Sequence, residues 1–176
     1  MPVLIREAAQ GDELDVARVH VRSWQIGYQN LLSKEYLDRL KPEDRACRYQ
    51  FGSNDLRSPK TLVAVERDAI CGFATIVTRN GPGEMTEGEL AALYVDPDWW
   101  NRGVGAALLL AARDALFRRG VRRANLWVLA GNERAERFYR IDGWMPDGLR
   151  RTISVWGVDA DEVHYCRQLD GPACTD

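Results

Sequence analysis

The stretch Val95-Asp-Pro-Asp-Trp-Trp-Asn-Arg-Gly-Val-Gly-Ala-Ala-Leu sets two glycines, Gly103 and Gly105, between an apolar β-patterned run and a helical one. Glycine carries no Cβ, so backbone N–H groups at such a turn can come close to a ligand. The first N–H groups of the following helix have no intrahelical partner and sit at its positive end, which suits a phosphate. The familiar phosphate loops do not fit: no Gly-Lys-Ser/Thr is present, and no third glycine completes G-x-G-x-x-G. The competing reading of the same two glycines is a tight structural connection.

Other reactive side chains are sparse. The four cysteines, Cys47, Cys71, Cys166 and Cys174, contain no C-x-x-C pair, and only His20 and His164 accompany them. That is neither a zinc spacing nor a disulfide framework, so no metal is expected and the thiols read as reduced and idle. Both histidines lie outside any motif and read as structural. The net charge of −2 argues against general affinity for nucleic acid. Its distribution is uneven: from Trp99 to Arg151 there are 11 arginines against 5 acidic residues. That segment suits a polyanionic ligand, or else forms the solvated faces of helices.

The elements that must hold these residues follow from periodicity. With 176 residues and no repeat or linker, the chain reads as a single domain over 1–176. Val3 to Arg6 is a short strand, and Asp12 opens a helix over 13–26 with Leu14, Ala17, Val21 and Trp24 at helical spacing. Ser33 starts a second helix through Tyr36, Leu37 and Leu40, and a further helical stretch follows Pro42 to Tyr49. Thr61–Glu66 and Ile70–Val77 form a hairpin, the run from Asn80 to Gly83 is a loop, and Glu89–Val95 is a third strand. Gly105–Arg119 is a helix with Leu108, Leu109, Ala112 and Leu116 on one stripe. Ala124–Leu129 is a strand, Asn132–Ile141 a helix, and Thr152–Trp156 and Val163–Leu169 are closing strands. The fold class is therefore α/β (α+β), helices interrupting a mixed sheet. The longest stretch free of polar side chains, Gly103 to Ala112, is far short of the ~20 residues that cross a bilayer. The start of the chain lacks the basic and apolar regions of a secretory signal, so a cytoplasmic protein is expected, away from membranes.

Glu89-Leu-x-x-Leu-Tyr-Val-x-Pro followed by Arg102-Gly-Val-Gly-Ala-x-Leu resembles the acetyl-coenzyme A signature of the GNAT superfamily of N-acetyltransferases. A second signature follows: Asn132-x-x-Ala135-x-x-Phe138-Tyr139-x-x-x-Gly143-Trp144 is similar to that family's N-x-x-A-x-x-F-Y-x-x-x-G-F/W segment. The resemblance implies the GNAT fold, a mixed central sheet of six to seven strands flanked by about four helices. One departure stands out. The family's pyrophosphate loop usually begins with Gln or Arg three residues before the first glycine, and Trp100 holds that place here. A backbone cradle survives the change, a side-chain phosphate contact is lost, and Arg102 is the candidate to compensate. Trp99 and Trp100 read equally well as packing residues.

Carried over residue by residue, the resemblance implies that the pantetheine arm of acetyl-coenzyme A pairs with Leu93, Tyr94 and Val95. The pyrophosphate then meets the backbone of Arg102, Gly103, Val104, Gly105 and Ala106, Asn132 faces the arm, and Phe138 packs behind Tyr139 near the thioester. The reaction implied is direct acetyl transfer to a primary amine of a small molecule or peptide. Tyr139 is implied as the acid that protonates the departing thiolate, its alternative being an ordinary half-buried tyrosine. Glu89 is the first choice of base, with Glu87 and Asp96 as alternatives, and its direction depends on whether the strand bulges. Trp24, Tyr28, Tyr36, Tyr94 and the segment 146–156 are candidates for the acceptor pocket, Trp24 and Tyr36 reading also as core. A sensor that binds acyl-coenzyme A without transfer is the rival from another class. Ile153, Val155 and Trp156 form an apolar set able to cover either a second copy or the chain's own core, and a homodimer is the expectation.

Overall fold

The computed structural model describes residues 3–55, 58–80, 86–155 and 157–169. In chain order these form β1 (Leu4–Glu7), α1 (Glu13–Gly27), α2 (Lys34–Asp38), α3 (Pro42–Ala46), β2 (Lys60–Glu66), β3 (Ala69–Asn80) and β4 (Thr86–Val95). After a 3-10 turn at Pro97–Trp99 come α4 (Val104–Arg118), β5 (Arg123–Leu129), α5 (Glu133–Ile141), β6 (Met145–Val155) and β7 (Val158–Gln168). The strands make one seven-stranded sheet in the order β1-β2-β3-β4-β5-β7-β6. Every neighbouring pair is antiparallel except β4 with β5 at the centre.

Local chemistry explains most of the element boundaries. The β2–β3 hairpin turns through Arg67 and Asp68, both with positive φ, the backbone of the two-residue turn that matches strand twist. Ser33 caps α2 by accepting from the Tyr36 N–H, and Asn132 caps α5 by accepting from the Ala135 N–H at 3.2 Å. Pro42 opens α3, where its missing N–H leaves no bond unmade. Helices cover both faces of the sheet. On one, Leu108, Leu109 and Leu116 of α4 pack with Leu90, Leu126, Trp144 and Tyr165. On the other, Val16 and Val19 of α1 pack with Val63 and Phe73.

The central strand does bulge. Its register with β3 passes from Thr75 opposite Ala92 to Ile76 opposite Leu90, so Ala91 is the extra residue. Leu90 packs on the α4 side, and beyond the bulge so do Leu93 and Val95, while Ala92 and Tyr94 pack on the α1 side. Strict alternation would put Glu89 with Leu93 and Val95; the bulge puts it on the face of Ala92 and Tyr94 instead.

Several boundaries differ from expectation: β7 starts at Val158 rather than Val163, and β3 runs on through Asn80, where a loop is expected to open. β6 begins at Met145 rather than Thr152. Pro146 and Gly148 read as loop residues, yet β6 is an edge strand, where proline is tolerated. It accommodates them by an irregularity that places residues 147–149 between the pairs Pro146–Tyr165 and Arg150–Val163. The helices after Ser33 and Pro42 are single short turns, five residues each, and β4 starts at Thr86, three residues early.

His20 is buried, its ring stacked on Tyr94 with centroids 4.4 Å apart and its Nδ1 2.6 Å from the Tyr49 hydroxyl. His164 pairs with Asp147 at 2.7 Å and lies against Trp127. Cys47 is exposed, Cys71 buried and Cys166 half-buried, all as free thiols. Among the described residues no helix is long and apolar enough to cross a membrane. Ile153 is half-buried; the side chain of Val155, Trp156, Cys174 and the loop after Asn80 lie outside the described residues.

Candidate active site

The two central strands part company. Parallel pairing of β4 with β5 covers only Gly88–Leu90 against Ala124–Leu126. Beyond it the chains diverge, and the backbone of β4 that faces β5 loses its ladder. A groove of about 960 Å³ opens there, lined by Leu93, Tyr94 and Val95 of β4, Trp127, Val128 and Leu129 of β5, and Gly103–Ala106. Asn132, Phe138 and Tyr139 of α5 close one wall. All the sequence-predicted cofactor residues meet at this groove except Arg102.

At the start of α4 the geometry is that of an anion cradle. Gly103 occupies the cap position with φ of +80°, a backbone state that disfavours a side chain, and nothing lies within 4 Å of where its Cβ would be. No side chain caps this helix, and its first turn carries no acidic residue. The leading N–H groups and the positive end of the helix dipole are thus left for a ligand. Gly105 serves a different contact: a Cβ there would stand 3.4 Å from the Phe138 ring and 3.7 Å from Val95, where α5 closes on α4.

The two tryptophans of the loop pack. Trp100 donates its indole N–H to the Val95 carbonyl at 2.7 Å, and a Cβ added at Gly27, at the end of α1, would stand 3.9 Å from its ring. Asp96 accepts from Arg22 with both oxygens at 2.7 Å and caps the 3-10 turn through the Asp98 N–H. Asp96, an alternative as base, does not line the groove. Arg102 lies over the Trp99 ring, 5.1 Å from its centroid, and does not line the groove; Arg134 and Arg137 do. Arg102, the candidate to compensate for Trp100, thus stands against Trp99 at the edge of the groove and not in its lining.

Of the residues named as candidates for an acceptor pocket, Trp24, Tyr28 and Tyr94 meet at the groove. Trp24 is buried in the core and lines the groove as well. Trp24 meets the Tyr28 ring edge-on with centroids 4.9 Å apart, and the Tyr28 and Tyr94 phenols interact. Burial pushes the Tyr28 phenol well above its ordinary value and also raises Tyr94, and Glu162 adds a smaller push to both. Tyr139 is 8% exposed, and burial followed by the neighbouring Tyr94 holds its phenol well above its ordinary value of 10. Glu89 lines the groove with its side chain 20% exposed and Arg79 3.7 Å away. Glu87 is exposed, and neither it nor Tyr36 lines the groove.

Sequence reasoning missed several wall residues: Ser23, Leu32, Trp127, Leu129, Arg134 and Glu162. A signal existed for two of them. In β5, Ala124, Leu126 and Val128 are buried, so alternation already assigns Trp127 and Leu129 to the opposite face. Arg151 joins the wall as well, donating to Glu162 at 2.6 Å with its guanidinium 4.1 Å from the Trp127 centroid.

Comparison with known proteins agrees with this geometry. The profile described as the acetyltransferase (GNAT) family matches residues 24–144. An uncharacterized N-acetyltransferase of Bacillus subtilis (strain 168), YuaI, is 30% identical over 132 residues, covering 74% of this chain and 73% of its own. Among solved structures, the PaiA N-acetyltransferase from Thermoplasma acidophilum, in complex with coenzyme A, superimposes with a TM-score of 0.69 at 21% identity. It covers 96% of this chain and 99% of that one. The yncA protein from Salmonella typhimurium, with its cofactor acetyl-CoA, gives 0.68 at 20% identity, covering 100% of this chain and 99% of its own. These two likenesses show the fold, and the profile match shows the lineage: the chain belongs to the GNAT family and is an acetyltransferase.

Proposed function

We propose that this enzyme moves the acetyl group of acetyl-coenzyme A to a primary amine, on a small molecule or a peptide, by direct attack. The observation that carries the reading is the parting of β4 from β5 beside an uncapped, acid-free helix start, with a buried tyrosine on the facing wall. The cosubstrate fits what is there: an open ladder for the amides of an extended arm, and unpaired N–H groups for a pyrophosphate. Bound in this way, acetyl-coenzyme A supplies the activated acetyl group.

The chain's own residues do the rest. An alkylammonium, with a pKa of about 10, must lose a proton before it can attack. Glu89, on the Tyr94 face of β4, takes that proton directly or through water. A main-chain N–H among Leu93–Val95 donates to the oxyanion. Tyr139, kept protonated by burial, gives its proton to the departing thiolate. Trp24, Tyr28 and Tyr94 hold the apolar part of the acceptor.

A thiol-release assay over a broad panel of primary amines tests the proposal. Acetyl-coenzyme A-dependent release with at least one amine, and acetylated amine as product, is expected. Coenzyme A binding with no release across the panel would leave the acceptor class or the transfer itself without support.

A further inference from the structure

We infer that Arg134 binds a phosphoryl oxygen of the coenzyme's pyrophosphate, supplying from α5 the contact that Trp100 does not supply from the loop. This rests on the cradle proposed above.

Trp100 cannot make that contact itself. Its single donor is directed at the Val95 carbonyl, 2.7 Å away, and an indole has no other. What it offers instead is a flat face. The Arg134 guanidinium lies on that face with its central carbon 3.3 Å from the ring centroid. Stacking fixes the plane of the guanidinium and leaves its N–H edge available for in-plane bonds to an oxyanion.

Three further features point the same way. Arg134 and Trp100 both line the groove with Gly103–Ala106, whereas Arg102 does not. Among the described residues no carboxylate stands within ion-pair distance of Arg134, while Arg22, Arg113 and Arg167 each hold an aspartate. Arg134 is also the second residue of α5, at the positive end of a helix whose first turn otherwise carries Glu133 and Glu136. A cation there opposes the dipole, an arrangement that an anionic ligand would offset.

Titration calorimetry at fixed ionic strength, with coenzyme A and with dephospho-coenzyme A, tests the assignment. It uses the wild type, Arg134→Gln, Arg134→Lys and, as the cradle control, Ala106→Glu, which sets a carboxylate on an exposed first-turn position of α4 at the groove. Arg134→Gln should weaken coenzyme A by about 10- to 100-fold, the worth of a hydrogen bond to a charged group. Arg134→Lys should recover part of the loss, since it keeps the charge and loses the planar fork. The same fold-loss is expected with dephospho-coenzyme A; a loss confined to coenzyme A would transfer the contact to the 3′-phosphate and overturn the pyrophosphate assignment. Unchanged affinity in Arg134→Gln, with binding abolished in Ala106→Glu, would overturn the inference and leave the cradle standing. Undiminished affinity in Ala106→Glu, or no binding by the wild type, would remove the cradle and the inference with it.

Discussion

Trp100 and Val95 are joined by a 2.7 Å hydrogen bond from the indole nitrogen to the main-chain carbonyl, and Ser23 donates to the same oxygen at 2.9 Å. The last carbonyl of the central strand is thus held by α1 on one side and the loop before α4 on the other. Trp100→Phe or Ser23→Ala alone should cost about 1 kcal/mol, because one donor remains. The double variant should lose more than the two singles together, since it leaves a buried acceptor without a partner. Urea unfolding of the four proteins measures this; strict additivity would show that the two bonds act independently.

Tyr139→Phe keeps the ring and removes the proton. With chemistry rate-limiting, kcat should fall roughly 10²–10⁴-fold while acetyl-coenzyme A affinity holds. Because burial keeps the phenol above its ordinary value of 10, no fall in rate below that pH should be traceable to it. Near-normal turnover in the folded variant would assign the proton to water and leave Tyr139 a packing role.

Glu89→Gln should lower kcat/KM at neutral pH by about 10²-fold or more. The deficit should narrow as pH rises toward the amine's own pKa of about 10, where the acceptor arrives already deprotonated. Pre-steady-state rates from pH 7 to pH 9.5 give the comparison. A constant ratio across that range would mean that Glu89 orients the amine without accepting its proton.

His20 should make stability depend on pH. Burial, with Arg45 adding to it, holds the imidazole well below its ordinary value of 6.5. The folded chain then keeps His20 neutral where the unfolded chain takes up a proton, so stability is full above about pH 7 and declines as pH falls through 6.5. Between pH 8 and pH 5.5 the loss due to this residue should be about 1 kcal/mol, and His20→Gln should lack it. An identical pH slope in wild type and variant, from urea unfolding, would contradict the assignment.

Much of this molecule is legible in its sequence. The two signatures fell on α4 and α5 because both depend on local grammar: glycines at a helix start, an asparagine cap, apolar residues at helical spacing. Tertiary adjustments were not legible. Nothing in Glu89-Leu-Ala-Ala-Leu distinguishes a regular strand from one with an extra residue at Ala91, since the bulge exists only in the register against β3. Pro146 and Gly148 carry loop propensities that an edge strand overrides. Arg134 looked like one more arginine on a solvated helix, and its meaning came from a ring 34 positions earlier in the chain.

The extra residue at Ala91 acts as a joint. Below it, Thr86–Leu90 pair with β3 and, at Gly88–Leu90, with β5 as well, and Glu89 stands beside Arg79; above it, Ala92–Val95 pair with β3, and the Val95 carbonyl is held by Ser23 and Trp100. A bulge absorbs local bending, so changes in one half need not propagate as a shift of the other. The strand is in effect two modules spliced in tandem. Its lower module is tied along both edges and its upper one along the β3 edge, so the half that borders the groove is the half whose other edge is open to a visiting strand.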